Sequence, residues 1–202
     1  LEQALLVEPY GCSKHAVDRG SITNEDVVVI SGAGTLGLGM ITYARMKNPK
    51  LLIVLDMQDG RLEKAKKFGA DLVFNPGKCD IDKEIKALTD DYGCDVYIEA
   101  TGHLTSVVQG LTIIRKLGRF VEFSVFGSET TVDWSIIGDR KELNILGSHL
   151  SPYAYPFVID NMVKGNLKTD GVVSSYFRLE DWEKAFDYAT GKYGDFKVAF
   201  KF

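Results

Sequence analysis

The 202-residue sequence lacks the features of a membrane protein and of a nucleic-acid-binding protein. No apolar run reaches the roughly 18 residues that a membrane-spanning helix requires, so we expect no membrane association. Basic residues are not in excess, since 24 Lys and Arg stand against 28 Asp and Glu and the formal net charge is −4. A phosphate backbone requires a basic face, so we expect no nucleic-acid partner.

Cysteine is scarce, and its three residues are far apart in sequence: Cys12, Cys79 and Cys94. Their odd number argues against a disulfide framework, and their spacing argues against a zinc knuckle. A reducing cytoplasm fits this composition best. The chain also begins without an initiator Met or a signal-peptide pattern, so we expect a fragment or a chain whose first part is missing.

The sequence does contain a regular alternation of apolar strands and amphipathic helices. With 45% hydrophobic and 26% charged residues, the chain has ample material for a packed core. Such alternation builds βαβ units, so we predict an α/β fold, a Rossmann-type doubly wound parallel sheet. The predicted strands are 26–31, 51–56, 72–75, 95–101, 120–125 and 143–148, and the predicted helices are 35–47, 60–68, 80–91 and 104–116.

The alternation ends near residue 150, where an aromatic loop, Ser-Pro-Tyr-Ala-Tyr-Pro, begins. The order of elements after it does not continue the βα repeat, so we expect this segment to lie outside the doubly wound sheet. The elements predicted there are a helix at 157–164, a strand at 172–177, a helix at 179–189 and a strand at 197–202.

A glycine-rich turn, Gly-Ala-Gly-Thr-Leu-Gly at 32–37, follows the first predicted strand and opens a helix. In this G-x-G-x-x-G pattern the first glycine permits a tight turn, the second lets the backbone approach a pyrophosphate, and the third lets helix and strand pack closely. The helix N-terminus offers unpaired N–H groups and about half a positive charge, which suits a diphosphate. The strand–turn–helix context predicts a dinucleotide-binding turn. The candidate cofactor contacts in it are Gly32, Gly34, Thr35, Leu36 and Gly37.

The next predicted strand ends at Asp56, about 20 residues after the turn. A carboxylate there accepts hydrogen bonds from the adenosine ribose hydroxyls and repels a 2′-phosphate, so NAD is expected rather than NADP. Arg61 is the opposing signal, because a nearby Arg accommodates a 2′-phosphate. With Asp56 in place, we interpret Arg61 as a ribose or phosphate contact.

Several segments resemble the medium-chain dehydrogenase/reductase superfamily, in particular the zinc-dependent alcohol and polyol dehydrogenases. The resemblance covers essentially the whole chain, and Glu8-Pro9 followed by His15-Ala16 is similar to the sorbitol, threonine and tetritol dehydrogenase branch. The segments that carry it include Leu-Val-Glu-Pro at 6–9, Val-Val-Val-Ile-Ser-Gly-Ala-Gly-Thr-Leu-Gly at 27–37, Asp-Val-Tyr-Ile-Glu-Ala-Thr-Gly at 95–102 and Ile-Leu-Gly-Ser at 145–148.

The resemblance implies roles for residues outside the glycine turn. Glu8 matches a position that contributes a carboxylate beside the catalytic zinc, and an anionic oxygen is a suitable zinc ligand. Leu36 matches the apolar residue behind the nicotinamide ring, with Cys12 beside it. The other implied cofactor contacts are Met57 and Thr101 on either side of the adenine, and the backbone groups of Phe123, Val125 and Leu150 at the carboxamide.

The resemblance also implies that a catalytic lobe is missing, because in the family this lobe precedes the present region and carries the other zinc ligands. We therefore expect residues 1–14 to be a remnant of the catalytic domain and residues 15–150 to be the Rossmann NAD-binding domain. Residues 151–202 are expected to be the C-terminal segment of that truncated catalytic domain.

The three histidines do not have the spacing of metal ligands. His15 is expected to cap or pack in the first helix. His103 follows Thr-Gly at the carboxyl end of a predicted strand, so one interpretation is that it lines the cofactor cleft. His149 matches the place where the family's chain turns from the last sheet strand towards the active site, so we take it as the candidate catalytic residue, in contact with cofactor or substrate.

These expectations together describe the cofactor-binding part of a zinc-dependent oxidoreductase, which transfers a hydride between NAD and a small-molecule alcohol or polyol. By itself the chain is expected to bind NAD(H) with little or no turnover. Two alternatives stay open, an NAD-sensing Rossmann module without catalysis and an S-adenosylmethionine methyltransferase. An edge strand at 143–148 favours pairing with a second copy, so we expect a homo-oligomer, a dimer or a tetramer.

Overall fold

The computed structural model describes residues 2–202 and is organised around a six-stranded parallel sheet. The strand order is β3-β2-β1-β4-β5-β6, and each neighbouring pair is parallel. From β1 the chain adds β2 and β3 on one side and then returns to add β4, β5 and β6 on the other side. The direction of winding therefore reverses between β1 and β4. The predicted doubly wound sheet is therefore confirmed. The strands are β1 (Val27–Ser31), β2 (Leu51–Leu55), β3 (Leu72–Phe74), β4 (Cys94–Glu99), β5 (Ile114–Glu122) and β6 (Asn144–Gly147).

Helices cover both faces of the sheet, which explains the continuous apolar run of β1. Val28 and Ile30 pack into one core with residues of α1, α2 and α3, whereas Val27 and Val29 pack into a second core with residues of α4 and α5. Successive side chains of a strand point to opposite faces, so β1 serves both cores. The helices are α1 (Val7–Arg19), α2 (Thr35–Met46), α3 (Asp59–Phe68), α4 (Ile81–Leu88) and α5 (Leu104–Ile113).

The predicted helix at 104–116 is too long, and this prediction is wrong at its C-terminal end. The helix ends at Ile113, and β5 begins at once with Ile114, which is buried. Lys141 accounts for the early end, because its amine donates to three carbonyl oxygens around this junction at 2.7 Å each. The carbonyl groups that helix termini leave unpaired are thereby satisfied from a distant part of the chain.

The segment after residue 150 adds no strand to the six-stranded sheet, as expected. One of its helices packs against α1, and its two strands form a separate parallel pair. α1 itself runs without a break through residues 14 and 15 and also packs against α2. The elements of this segment are α6 (Tyr155–Val163), β7 (Val173–Phe177), α7 (Trp182–Ala189) and β8 (Lys197–Phe200).

None of the helices within residues 2–202 is both long enough and apolar enough to span a bilayer.

Candidate functional site

The candidate site is built on the turn between β1 and α2. Gly32 has a φ of +108°, its N–H donates to the carbonyl oxygen of Leu55 at 2.8 Å, and a Cβ there would lie 2.6 Å from the carbonyl oxygen of Ala100. A Cβ at Gly37 would collide with the carbonyl oxygen of Gly32. The turn therefore requires both glycines, because Gly32 adopts a left-handed conformation against the carbonyl of Ala100 and a side chain at Gly37 would push the helix away from the turn.

Gly34 faces open space instead. Among the described residues, a Cβ at Gly34 would meet one atom within 4 Å, Nη1 of Arg61 at 3.9 Å. Gly34 is also the N-cap of the 12-residue helix α2 and brings no side chain that could cap its first N–H groups. These free donors and the helix dipole leave a place where an anionic group such as a diphosphate fits against the backbone.

Asp56 closes the site from the end of β2. Its Oδ2 accepts the N–H of Ala33 and its Oδ1 accepts the N–H of Gln58, both at 2.8 Å, so the carboxylate is fixed on the glycine turn. Each carboxylate oxygen has two lone pairs, so further donors such as ribose hydroxyls can still be accepted. The carboxylate is therefore oriented before any ligand arrives.

Arg61 lies beside this carboxylate with unused hydrogen-bonding capacity. Its Nη1 is 3.9 Å from Oδ2 of Asp56, and its buried Nε has no hydrogen-bond partner within residues 2–202. Arg61 also lines the cavity beside the N-terminus of α2, so its guanidinium offers donors to a polar anionic ligand there.

These groups line one cavity of about 620 Å³ at the carboxyl ends of the central strands. Met57 follows β2 and Thr101 follows β4, the two strands that flank β1, and both line the cavity. His103 lines it as well, and its imidazole accepts the N–H of Thr105 at the start of α5. The size is that of a small-molecule site. The predicted cofactor contacts that the structure brings into this cavity are Gly32, Gly34, Asp56, Met57, Arg61 and Thr101.

Two buried polar side chains hold the walls of the cavity, and the sequence analysis missed both. Glu99, which is fully buried, accepts the N–H groups of Thr101 at 2.9 Å and Gly102 at 3.3 Å. Asn75 donates to the carbonyl oxygen of Met57 at 3.0 Å. Both lie at or just after the end of a strand, directly before a loop at the candidate site, and this position was the signal that could have identified them.

The residues predicted at the nicotinamide end lie outside the cavity lining. The Thr35 hydroxyl donates to the carbonyl oxygen of Phe196 at 2.5 Å, so the start of α2 is joined to the C-terminal segment. Leu36 is half-buried against the core that contains α1 and α2. The other predicted contacts are Phe123, which is half-buried, and Val125 and Leu150, whose side chains are exposed.

Glu8 lies in the first turn of α1 with an exposed side chain, and its Oε1 accepts the thiol of Cys12 at 3.2 Å. Burial, with a smaller contribution from Glu8, raises the pKa of the Cys12 thiol to about 11, so the thiol is protonated at neutral pH. His149 is exposed beyond the end of β6 and does not line the cavity.

No group of three or more His, Cys, Asp or Glu side chains that could hold a metal ion occurs in the part of the chain that the structure describes. A zinc ion takes at least three protein ligands in catalytic sites and four in structural sites. The described residues therefore do not fit zinc by themselves, although they fit a dinucleotide.

Comparisons with known proteins agree with the Rossmann-type fold described above and assign the chain to a family. A family described as zinc-binding dehydrogenase matches residues 35–164. An erythritol/L-threitol dehydrogenase of Mycolicibacterium smegmatis is 50% identical over 192 residues, which cover 95% of this chain and 53% of that protein. The chain thus spans about half the length of this curated relative.

Solved structures with the same fold include two that are 27% identical in sequence. One is a short-chain alcohol dehydrogenase of E. coli CFT073 in complex with the cofactor NADH, with a TM-score of 0.87 over 96% of this chain and 58% of that chain. The other is the apo form of zinc-dependent alcohol dehydrogenase 2 from Streptococcus pneumonia, with a TM-score of 0.89 over 100% of this chain and 59% of that chain.

Proposed function

Since the chain belongs to the zinc-binding dehydrogenase family, we propose that it binds NAD(H) and forms the cofactor-binding part of an oxidoreductase. The reaction would be hydride transfer between NAD and an alcohol or polyol, with the nicotinamide supplying the hydride acceptor or donor. One observation carries the proposal. The N-terminus of α2 at Gly34, the oriented carboxylate of Asp56 and the guanidinium of Arg61 meet in a single cavity.

In this proposal the diphosphate lies against the N-terminus of α2, where backbone N–H groups and the guanidinium of Arg61 receive its charge. The adenosine ribose donates its hydroxyls to Asp56, and the adenine lies between Met57 and Thr101. That a structural neighbour with 27% identity was solved with NADH supports NAD(H) as the cofactor. The protein's contribution is to bind and orient the cofactor before the reaction.

At the other end of the cofactor, we propose that Leu36 packs behind the nicotinamide ring and that Thr35 contributes to the turn. The backbone groups of Phe123, Val125 and Leu150 would hold the carboxamide. His149 is our candidate for contact with the cofactor or substrate beyond β6.

A polyol substrate is supported by the 50% identity to an erythritol/L-threitol dehydrogenase. Zinc, which the family name implies, would require ligands in addition to Glu8, because residues 2–202 do not form a zinc site alone. We therefore propose Glu8 as one carboxylate of such a site and expect the 202-residue chain to bind NAD(H) with little or no turnover. Polyol-dependent formation of NADH by this chain with zinc present would contradict that expectation.

Isothermal titration with NADH, NADPH and S-adenosylmethionine tests the cofactor assignment. NADH should bind more tightly than NADPH by about tenfold or more, because a 2′-phosphate would face the Asp56 carboxylate. In Asp56→Asn the two affinities should become similar, since the repulsion is lost. The control is Asp71→Asn, because Asp71 holds the opposite end of β2 through the N–H of Leu52. Tighter binding of NADPH or of S-adenosylmethionine by the wild type would contradict the proposal.

A further inference from the structure

Asn75 joins two loops that wall the cavity beyond β2 and β3. Its Nδ2 donates to the carbonyl oxygen of Met57 at 3.0 Å and to Oδ1 of Asp59 at 2.9 Å, both after β2. Its Oδ1 accepts the N–H of Gly77 at 2.9 Å in the segment between β3 and α4. Both amide donors therefore bridge to the segment after β2, while the amide oxygen fixes the turn of the segment that contains Asn75 itself.

Asn75 is buried behind the cavity wall, so its hydrogen bonds affect the position of the residues that line the cavity. Asn75 is 8% exposed, so its hydrogen bonds are largely shielded from water. Met57 and Pro76, one from each loop, line the cavity, whereas Asn75 does not. The end of the Met57 side chain also lies close to Gly77, because a Cβ there would be 2.9 Å from its Cε. Loss of the two donated hydrogen bonds would therefore loosen the two segments against each other and leave the exposed Lys78–Asp59 ion pair between them.

We propose that Asn75 is a positioning residue that fixes the adenosine wall of the cavity and thereby sets the affinity for the cofactor. This inference rests on the proposed function, since it takes the adenosine half of NAD(H) to occupy the cavity. A wall that is held in place before the ligand arrives loses less conformational entropy on binding. Asn75 acts through Met57 and Pro76 and does not touch the ligand.

The variant Asn75→Asp isolates the two donated hydrogen bonds. It keeps the oxygen that accepts the N–H of Gly77, but it places a carboxylate against Asp59 and the carbonyl oxygen of Met57. A second variant, Asp59→Ala, removes one of the two acceptors together with the ion pair between Asp59 and Lys78, and because the Asp59 side chain is 60% exposed it leaves no buried cavity.

Asn161→Asp is a matched control for Asn75→Asp. Asn161 is 7% exposed in α6, donates from Nδ2 to the carbonyl oxygen of Phe157 at 2.9 Å, and accepts from Asn166 at 2.9 Å. It does not line the cavity. The control therefore makes the same chemical change at a similarly buried amide that has no part in the proposed wall.

The measurements are calorimetric titrations of the 202-residue chain with NADH and with ADP-ribose, together with the melting temperature. Asn75→Asp should weaken both ligands by the same factor, about tenfold, because buried partners lose their hydrogen bonds. Asp59→Ala should weaken both by a smaller factor. Asn161→Asp should lower the melting temperature and leave both affinities unchanged.

Unchanged affinities in Asn75→Asp would overturn the proposal and leave Asn75 a purely structural residue. If that variant does not fold, unchanged affinities in Asp59→Ala overturn it instead. A wild-type chain that binds neither NADH nor ADP-ribose would contradict the proposed function itself. The two failures are therefore distinguishable.

Discussion

Two carboxylates on neighbouring strands, Glu99 and Glu122, are paired in register at the carboxyl end of the sheet. Glu99 has hydrogen bonds from the loop that follows β4, whereas the buried Oε1 of Glu122 has no partner within the described chain. Burial, followed by the nearby charge of Glu99, raises the pKa of Glu122 above its usual range. The ionised form of Glu122 is therefore less stable in the folded protein than in the unfolded chain.

We predict that Glu122→Gln stabilises the protein and that the gain grows with pH. Below the ordinary pKa of a glutamate the carboxyl is protonated in both the folded and the unfolded state, so it imposes no ionisation cost on folding. Between the ordinary pKa and the raised folded pKa the unfolded chain ionises before the folded protein, so the wild type loses stability as the pH rises through this window and the variant does not; above the raised pKa the difference is constant. Melting curves should show a gain of roughly 2–4 °C near neutral pH and almost none near pH 4. A gain that is the same at all pH values would contradict this explanation.

At the scale of elements, the close packing of α2 on β1 determines the shape of the glycine turn. Gly37 is the point of closest approach, because a Cβ there would run into the carbonyl oxygen of Gly32. The helix N-terminus that is proposed to bind the diphosphate is positioned by this contact. Its position is therefore sensitive to a single methyl group.

We predict that Gly37→Ala weakens NADH binding by at least about tenfold and lowers the melting temperature, since α2 must move away from the turn. The matched control is Gly60→Ala, in α3, where a Cβ would have nothing within 4 Å among the described residues. That substitution should leave affinity unchanged and slightly favour the helix. Calorimetry and melting curves measure both effects, and an unchanged NADH affinity in Gly37→Ala would disprove the role assigned to this contact.

The elements that carry the turn could be predicted from the sequence because their signals are local. The apolar run of β1 and the start of α2 at Thr35 were predicted to within a residue. The end of α5 was not, because the amine that satisfies its last carbonyl groups comes from Lys141, far along the chain. The role of Asn75 could not be predicted for a similar reason. Its hydrogen-bond partners, Met57 and Asp59, are distant in sequence and are brought to it only by the tertiary fold.

At the scale of the whole molecule, the sheet ends in β6, which pairs with β5 on one side and lies at the edge of the six-stranded order. The prediction of an edge strand in this region is confirmed. Ile145 on this strand is 44% exposed. An exposed strand edge offers unpaired backbone groups to another chain, so we propose that two copies associate edge to edge through β6.

We predict that Ile145→Lys converts such a dimer into monomers, because a lysine on each edge strand adds like charges along the shared edge and disfavours strand pairing. Val163→Lys is the control, since Val163 is 82% exposed in α6, away from β6. Light scattering coupled to gel filtration gives the mass of each variant. A wild-type chain that is monomeric at all concentrations, or an Ile145→Lys chain that stays dimeric, would rule out association through this edge.

The central claim, that NAD(H) occupies the cavity between the glycine turn and the loops after β2 and β4, is tested most directly by hydrogen–deuterium exchange with and without NADH. We predict that NADH slows exchange in peptides covering 31–38, 56–62 and 100–105, because these contain the residues that line the cavity. Peptides from α7 should be unaffected. Protection that is absent from these three segments, or that is confined to another part of the chain, would contradict the claim.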